Sequence, residues 1–203
     1  MTAQRGRARM GIITISRQIG AGETAIAPAV AERLGWECID QKLLDREVEE
    51  TGITMPDVVH YDEHAPGLVE SWQHPHEAEK YFHALQRIVR EYAERGNVVI
   101  VGRGARFILK EADALHVRLV ADMSFRIRRV MEVRWVNEAP ARDIIRQSDH
   151  DRAAFHRRCF KVDWEDPLHY HLVLNTSLLG VEGAVDTLVA AARVRWDKPE
   201  VQP

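Results

Sequence analysis

Long apolar runs are missing from this sequence. No stretch of its 203 residues approaches the roughly 20 apolar residues that a membrane-spanning helix needs. The arginines Arg5, Arg7 and Arg9 are not followed by an apolar segment of the kind that a secretory signal peptide carries. These two absences predict a soluble, cytoplasmic protein with no membrane partner.

Cysteine is equally scarce. The chain has two, Cys38 and Cys159, which are far apart in sequence and lack metal-ligand spacing. Reduced thiols are therefore expected rather than a disulfide. A basic excess is missing too, because 31 acidic residues outnumber 28 basic ones and the net charge is −3. That balance argues against a nucleic-acid partner.

Lysine is rare among the basic residues, with five lysines against 23 arginines, and ten of the arginines lie between Arg118 and Arg158. The guanidinium fork binds phosphate oxygens in pairs, so such a cluster suits phosphoryl chemistry. A solvated helical face with i,i+4 ion pairs is expected to account for most of the ten. Two or three are expected to line a site.

Residues 12–24 have the pattern of a buried strand that runs into a phosphate loop and then a helix. The β-branched run at residues 12–15 is typical of a strand buried on both faces. Gly20 and Gly22 permit positive φ and a close approach of the backbone to an anion. The N-terminal amides of the helix that begins at Thr24 point back at the loop, so the segment suits a phosphate.

The loop departs from the full phosphate-loop pattern G-x-x-x-x-G-K-[ST], whose second Gly and Ser/Thr fall at Gly22 and Thr24. The first Gly of the pattern is replaced by Arg17 and the Lys by Glu23. An anion in place of a cation near a triphosphate reverses an interaction of about 1 to 4 kcal/mol at about 4 Å. The loop alone therefore does not establish ATP binding, since a strand, a Gly-rich turn and a helix open many α/β domains.

Alternating strands and helices follow along the chain. Strands are predicted at residues 12–15, 36–39, 98–101, 115–120 and 171–174. Helices are predicted at residues 24–34, 41–51 and 77–95, after residues 102–104, as two Arg-rich helices broken near residues 137–140, and from about residue 181. This alternation favours a doubly wound parallel sheet. Ligands bind beyond the carboxyl ends of such strands, where Asp40, Arg103 and Asp122 are expected to converge with the loop.

A single domain is predicted for residues 11–196, between a disordered arm at residues 1–10 and a disordered tail at residues 197–203. Helical periodicity fails at residues 53–76, where prolines and a glycine predict a loop or a mobile insertion. This segment also carries side chains that a metal enzyme would use, although surface histidines are the more expected interpretation. They are His60, Asp62, His64, His74 and His76.

Four ordered motifs are more specific. They are Ile-Thr-Ile-Ser-Arg-Gln-Ile-Gly-Ala-Gly at residues 13–22, Gly-Arg-Gly at 102–104, Asp-His-Asp-Arg-Ala-Ala-Phe at 149–155, and the stretch from Trp164 to Ser177. Together they resemble the cytidylate kinase-like family, a branch of the P-loop nucleoside monophosphate kinases, over residues 11–192. The resemblance implies a three-layer α/β/α fold of the P-loop NTPase type. It also implies a five-stranded parallel sheet, a helical lid at residues 123–160 and an acceptor-side insertion at residues 53–76.

The resemblance also implies a role for each matching residue. The donor-phosphate site would be formed by Gly20, Ala21, Gly22, Glu23 and Thr24, with Thr24 in the magnesium shell. The acceptor nucleotide would contact Asp40 and Arg103. The lid residues that fold over the transferring phosphoryl group would be Arg126, Arg129, Arg146 and Arg152, with Asp149 orienting one of them. Arg17 is the first candidate to replace the missing lysine.

These implications predict a phosphotransferase that uses ATP and Mg2+, acts on a nucleoside monophosphate with CMP or dCMP as first choice, and is a monomer or homodimer. Two alternatives stay open. A nucleotide-binding regulatory protein with little or no turnover is favoured by Glu23. A kinase for a non-nucleotide acceptor is permitted because function depends on the site rather than on the scaffold.

Overall fold

The computed structural model describes residues 10–52 and 75–196. The strands are β1 (Ile12–Arg17), β2 (Glu37–Ile39), β3 (Val98–Val101), β4 (Leu115–Val120) and β5 (Leu172–Asn175). The helices are α1 (Glu23–Leu34), α2 (Gln41–Glu50), α3 (Pro75–Arg95), α4 (Ala105–Ile108), α5 (Met123–Arg134), α6 (Glu138–Phe160) and α7 (Thr176–Trp196), with a 3-10 helix at Pro167–His169. The predicted tail and almost all of the predicted N-terminal arm and mobile insertion lie outside the described residues.

The sheet has five parallel strands in the order β2-β3-β1-β4-β5. The central strand β1 pairs with β3 on one side and with β4 on the other. All six residues of β1 are buried, as expected for a β-branched run that helices cover on both faces. The predicted three-layer α/β/α fold with a five-stranded parallel sheet is confirmed.

Helices cover both faces of the sheet. The first face packs against α1 and α7 in a core that contains Ile13, Val117 and Leu188. The second face packs against α2, α3 and α4 around Ile12 and Ile100. Neighbouring residues of a strand point to opposite faces, which is why Ile12 and Ile13 belong to different cores. No helix in the described ranges is long and apolar enough to cross a membrane.

Three strands differ from their predicted bounds, and β1 extends to Arg17 instead of ending at residue 15. The strand β2 starts at Glu37 instead of Trp36, because Trp36 N donates to Ala31 O at 2.8 Å and so belongs to the turn that closes α1. The strand β5 spans Leu172–Asn175 instead of residues 171–174, because its last residue still pairs with Val120 of β4.

Several helix boundaries also differ, and α3 begins at Pro75, inside the predicted insertion, instead of at residue 77. The helix α7 begins at Thr176 instead of about residue 181, and Gly180, with φ 68° and ψ 176°, separates its short first turn from the predicted part. The break between the Arg-rich helices falls at residues 135–137 and overlaps the predicted range only at Asn137. Pro140 lies in the first turn of α6, where a missing N–H costs no helical hydrogen bond.

Candidate active site

The predicted phosphate loop, for which we keep the name phosphate loop, spans residues 18–22 and connects β1 to α1. Gly20 has φ 79°, and Gly22, the N-cap of α1, has φ 87°. A Cβ atom on Gly20 would lie 2.9 Å from the carbonyl oxygen of Arg126 and 3.0 Å from its Cα. Position 20 therefore requires glycine because of its left-handed backbone and because α5 approaches it closely.

Protein donors bind the carbonyl groups of the phosphate loop. Ala21 N donates to Gln18 O at 3.2 Å, and Arg126 Nε donates to Ile19 O at 2.8 Å. Thr176 Oγ1 donates to the carbonyl oxygen of Ala21 at 3.0 Å. With three carbonyls engaged in this way, we expect the concave side of the loop to present N–H groups. That is the polarity that an anion requires.

The first turn of α1 carries the two remaining donor-side candidates. Thr24 is exposed there, so a ligand at the phosphate loop has access to its hydroxyl group. Glu23 is the first residue of the helix, and its side chain lies outside the described part of the structure. The unfavourable charge predicted at position 23 stays a prediction.

Arg126 joins the phosphate loop to α6. Its Nη1 and Nη2 atoms donate to the two carboxylate oxygens of Asp149 at 2.9 and 2.7 Å, while its Nε holds Ile19 O. Arg126 is buried, whereas the side chain of Asp149 is 29% exposed. A bidentate ion pair is strong and geometrically specific when it is shielded from water. We call Arg126, Asp149 and the Ile19 carbonyl the Arg126 clamp.

A small apolar core supports the Arg126 clamp. Ile19 of the phosphate loop packs with Ile127 and Val130 of α5 and with Ala141 and Ile145 of α6. Both helices of the predicted lid segment therefore share a core with the loop. The closing motion predicted for this segment stays a prediction.

Arg103 lies at the carboxyl end of β3 in a strained turn. Residues 102–104 have φ values of 79°, 48° and 69°, and left-handed backbone at the non-glycine Arg103 costs of order 1 kcal/mol. The guanidinium of Arg103 donates to both carboxylate oxygens of Asp45 on α2, with Nε 2.7 Å from Oδ1. Tyr81 on α3 donates to the same Oδ1 at 2.8 Å, and burial raises the pKa of Tyr81, which keeps its hydroxyl protonated.

Gln41 lies between Arg17 and Arg103. With its amide oxygen towards Arg103 it accepts from Nη1 at 3.1 Å and from Nη2 at 2.7 Å, whereas the opposite orientation gives a 3.5 Å contact with Arg17 Nη2. The first orientation is favoured because its bonds to a cation are shorter. Arg17 is buried, and a Cβ on Gly102 would lie 2.3 Å from its Nη1. The guanidinium of Arg17 therefore faces β3, and its predicted role at the donor phosphates stays a prediction.

Asp40 directly follows β2 and caps α2. Its Oδ1 accepts a hydrogen bond from Leu43 N at 2.8 Å, and the residue is exposed. Because β2 and β3 are neighbouring parallel strands, Asp40 and Arg103 lie at the same edge of the sheet. The structure thus brings both acceptor-side candidates to the edge where ligands of parallel sheets bind.

Two predicted lid arginines are paired on the surface of their own helices. Arg129 on α5 lies 3.1 Å from a carboxylate oxygen of Glu132, and Arg146 on α6 pairs with Asp143. Exposed pairs of this kind contribute about 0 to 1 kcal/mol. The structure does not bring Arg129 or Arg146 to the Arg126 clamp, and both match the solvated helical face expected for most of the arginine cluster.

Arg152 occupies an inner position on α6. It is half-buried and lies one turn after Asp149. Its carbonyl oxygen accepts a hydrogen bond from His156 Nδ1 at 2.7 Å. Of the predicted lid residues, Arg126 is buried, Arg129, Asp149 and Arg152 are half-buried, and Arg146 is exposed.

Several polar residues beside the candidates were not predicted. Asp45 and Tyr81, which hold Arg103, belong to helices whose pattern gives no sign of that contact. Arg118 on β4 is buried, and it donates to the carbonyl of Trp164 and to Glu165 Oε1 at 3.0 Å. Its signal was present in the sequence, because a charged residue interrupts the apolar strand Leu-His-Val-Arg-Leu-Val.

A polar network links the carboxyl ends of β4 and β5 beside the phosphate loop. Asp122 N donates to Ser177 Oγ at 3.2 Å, and Ser177 N donates to Asn175 Oδ1 at 3.0 Å. This network caps the turn into α7, and Asp122 is exposed. Asp122 therefore lies at the sheet edge where the sequence placed it.

No metal-ligand cluster occurs in the described ranges, and the two cysteines are not paired with each other. Residues 10–52 and 75–196 contain no group of three or more His, Cys, Asp or Glu side chains that would hold a metal ion. His76 is exposed on α3, whereas the other side chains of the metal hypothesis lie outside these ranges. Cys38 and Cys159 are free thiols as predicted, and burial raises the pKa of each to about 11.

Comparisons with known proteins agree with this geometry. The sequence pattern of the cytidylate kinase-like family matches residues 12–178. A cytidylate kinase of Archaeoglobus fulgidus is 28% identical over 189 residues, which cover 90% of this chain and 95% of that protein. A cytidylate kinase of Pyrococcus horikoshii is 27% identical over 181 residues, covering 89% and 87%.

Solved structures support the fold. An uncharacterised protein from Eubacterium ventriosum superposes with a TM-score of 0.72 at 22% identity and covers 90% of this chain and 98% of its own. A shikimate kinase from Bacteroides thetaiotaomicron gives 0.56 at 20% identity, covering 93% and 99%. At these identities the likeness concerns the fold alone.

Proposed function

Because this chain belongs to the cytidylate kinase-like family, we propose that it transfers the γ-phosphoryl group of ATP to a nucleoside monophosphate. Family membership supports a phosphotransferase. The proposal also names the acceptor, for which CMP or dCMP is the first choice. The observation that supports a phosphotransferase is the backbone of the phosphate loop, whose carbonyl groups are bound by protein donors and which lies beside α6.

The donor would bind at the phosphate loop. Its glycine-shaped backbone, with three carbonyls engaged by protein donors, supports a triphosphate held by main-chain N–H groups. The exposed hydroxyl of Thr24 is the kind of oxygen ligand that Mg2+ prefers, so this residue fits the ion's shell. When bound, Mg2+ neutralises charge on the phosphate oxygens.

The acceptor would bind near the ends of β2 and β3, beside Asp40 and Arg103. The fork of Arg103 already holds the carboxylate of Asp45. An acceptor phosphate would therefore contact the outer edge of this guanidinium or replace Asp45. Tyr81 and Gln41 limit the positions open to Arg103, which supports a prepared site more than a mobile surface arginine.

The reaction needs positioning and charge stabilisation more than a covalent intermediate. An oxygen of the acceptor phosphate forms a bond to the γ-phosphorus as the bond from that phosphorus to the β,γ-bridging oxygen breaks. ADP leaves, and the acceptor becomes a diphosphate. Arg152 would stabilise the transferring group, the Arg126 clamp would hold α6 and Arg152 beside the phosphate loop, and Arg17 would partly replace the missing lysine.

A panel of acceptors tests the proposal. The purified protein is incubated with ATP, Mg2+ and each nucleoside monophosphate in turn, and ADP and the matching diphosphate are measured together. Equal amounts of both products with CMP or dCMP are expected. Sugars and other hydroxyl acceptors in the same panel test the non-nucleotide alternative. ADP without any phosphorylated acceptor would contradict the proposal.

One observation favours a second function, nucleotide binding without turnover. Two arginines expected to face phosphate, Arg103 and Arg126, are both held by protein carboxylates, Asp45 and Asp149. Glu23 adds an acidic residue at the position of the lysine. Measurable affinity for ATP with no product from any acceptor would establish this second function instead of the first.

A further inference from the structure

Trp164 connects the sheet to α6 from a segment that belongs to neither. It lies between the end of α6 and the 3-10 helix at Pro167–His169, and it is 2% exposed. Its ring contacts two functional elements at once. The guanidinium carbon of Arg118 lies 4.1 Å from the ring centroid, and the His156 ring lies 5.4 Å away at an interplanar angle of 13°.

The sheet side of this connection is rigid. Arg118 is buried on β4 and pairs in register with Ser16, which lies next to Arg17 at the end of β1. A buried guanidinium must satisfy its donors within the protein, and Arg118 uses the carbonyl of Trp164 for this purpose. Tyr170 donates a second hydrogen bond to the same carbonyl at 2.8 Å. The position of Trp164 is therefore fixed relative to β4.

The α6 side of the connection reaches a candidate active-site residue. His156 stacks on Trp164, and its Nδ1 donates to the carbonyl oxygen of Arg152. Burial lowers the pKa of His156 to about 4, and Arg152 and Arg118 are the charged groups that act on it. At neutral pH the ring is therefore uncharged and carries its proton on Nδ1. Phe107, Phe155 and Phe160 complete its surroundings.

Two contacts thus fix one helix. Asp149 attaches α6 to the phosphate loop through the Arg126 clamp, and His156, about 10 Å further along the helix, attaches it to the sheet through Trp164. Arg152 lies between these two points. A helix fixed at both ends of a short segment holds its side chains within a narrow range of positions, which phosphoryl transfer requires.

We propose that Trp164 is a positioning residue, which sets the place of Arg152 and Asp149 relative to the phosphate loop by joining β4 to α6. The proposal rests on the proposed phosphoryl transfer for its kinetic consequences. Its structural consequence, the ordering of residues 149–156, does not depend on any activity.

Ordinary core packing is the competing explanation, and the chain offers a matched control for it. Trp196 is also buried, and Trp164 and Trp196 each have an indole Nε1 without a hydrogen-bond partner in the described structure. Trp196 packs against Trp36 and close to Gly11, at the opposite end of the sheet from the phosphate loop. If packing is the whole role of Trp164, equal truncations at positions 164 and 196 should behave alike.

The experiment compares Trp164→Leu, Trp164→Phe, Trp196→Leu and Trp196→Phe with the wild type. For each protein we would measure the urea midpoint, kcat, KM for ATP and the hydrogen exchange of amides in residues 149–156. Both Leu variants should lower the urea midpoint. Trp164→Leu should also lower kcat by at least about tenfold with KM for ATP changed less than about twofold, since displaced arginines weaken the transition state most.

Trp164→Phe keeps an aromatic ring and should recover part of kcat, while both Trp196 variants should keep kcat within about twofold of the wild type. Faster exchange in residues 149–156 should accompany the loss in Trp164→Leu alone. Equal kcat in Trp164→Leu and Trp196→Leu, or unchanged exchange in residues 149–156, would overturn the proposal.

The test also covers a wild type without turnover and a variant that does not fold. If the wild type turns over no acceptor, the proposed function fails, and the exchange comparison alone supports or overturns the positioning role. If Trp164→Leu does not fold, Trp164→Phe decides. Wild-type hydrogen exchange in residues 149–156 together with a wild-type kcat in Trp164→Phe would overturn the role, whereas faster exchange there than in Trp196→Phe would support it.

Discussion

At the scale of single residues, buried arginine–carboxylate pairs are expected to contribute most to stability. Arg103, Arg118 and Arg126 are largely withdrawn from water, and each pairs with a carboxylate. Removing one partner of such a pair leaves a charge that water cannot reach, which costs far more than breaking an exposed pair. The exposed pair of Arg146 and Asp143 provides the contrast within the same chain.

Asp149→Asn should lower the free energy of unfolding by about 3 kcal/mol, because the substitution leaves the buried Arg126 without its counter-charge. Asp143→Asn is the matched control on the same helix, and it should change stability by less than about 1 kcal/mol since its pair is exposed. Urea unfolding of both variants checks the difference. Equal losses would show that the Arg126 clamp contributes no more than a surface pair.

Two buried histidines should make the protein sensitive to acid. Burial lowers the pKa of His116 to about 3 and that of His156 to about 4. Between these values and the ordinary value near 6.5, the unfolded chain binds protons that the folded chain does not, so stability is complete above about pH 6.5 and falls as the pH falls. At pH 5 each histidine should lower the free energy of unfolding by about 2 kcal/mol relative to its value above about pH 6.5.

The variant His116→Gln isolates one of these contributions. Its loss of stability between pH 7 and pH 5, measured by urea unfolding, should be smaller than that of the wild type by about 2 kcal/mol. The lower stability expected at pH 7, where the hydrogen bond to Thr14 changes, does not affect this comparison. An identical pH slope in both proteins would mean that His116 titrates normally in the folded state.

At the scale of elements, the phosphate loop depends on glycine for two separable reasons. Gly20 and Gly52 both have φ 79°, but only Gly20 would bring a Cβ against a neighbouring backbone. Gly52→Ala should therefore lower the free energy of unfolding by about 1 kcal/mol, because an alanine at this position must adopt a left-handed backbone.

Gly20→Ala should cost clearly more than Gly52→Ala, because the Arg126 backbone must also move. The substitution should also weaken ATP binding at least about tenfold, since the loop and the Arg126 clamp shift together. Urea unfolding and calorimetric titration with ATP measure the two effects. Wild-type ATP affinity in Gly20→Ala would contradict the assignment of this loop to the donor phosphates.

The sequence predicted elements better than contacts, for physical reasons. β-branched runs and turn glycines are local signals, so the five strands and the positive-φ glycines of the turn after β1 were predicted correctly. The partners of Arg103 and Arg126 lie 58 and 23 residues away in the chain, and no local pattern specifies such pairs. The direction of Arg17 was also not predictable, because a residue at a strand end can turn towards either neighbouring strand.

At the scale of the whole molecule, the sheet and α6 bring the candidate site residues together. The parallel sheet brings the phosphate loop, Asp40 and Arg103 to one edge, and α6 passes beside the loop, where Asp149 holds Arg126. We therefore propose that the fold and the Arg126 clamp together form a site for phosphoryl transfer between nucleotides. We expect the clamp to affect kcat more than binding of the donor.

Phosphoryl transfer from ATP to CMP, measured as ADP and CDP in the wild type and in Asp149→Asn, tests this claim most directly. We expect equal amounts of both products in the wild type. We also expect a kcat at least about 100-fold lower in the variant, with KM for ATP nearly unchanged. ADP without CDP in the wild type, or a wild-type kcat in Asp149→Asn, would contradict it.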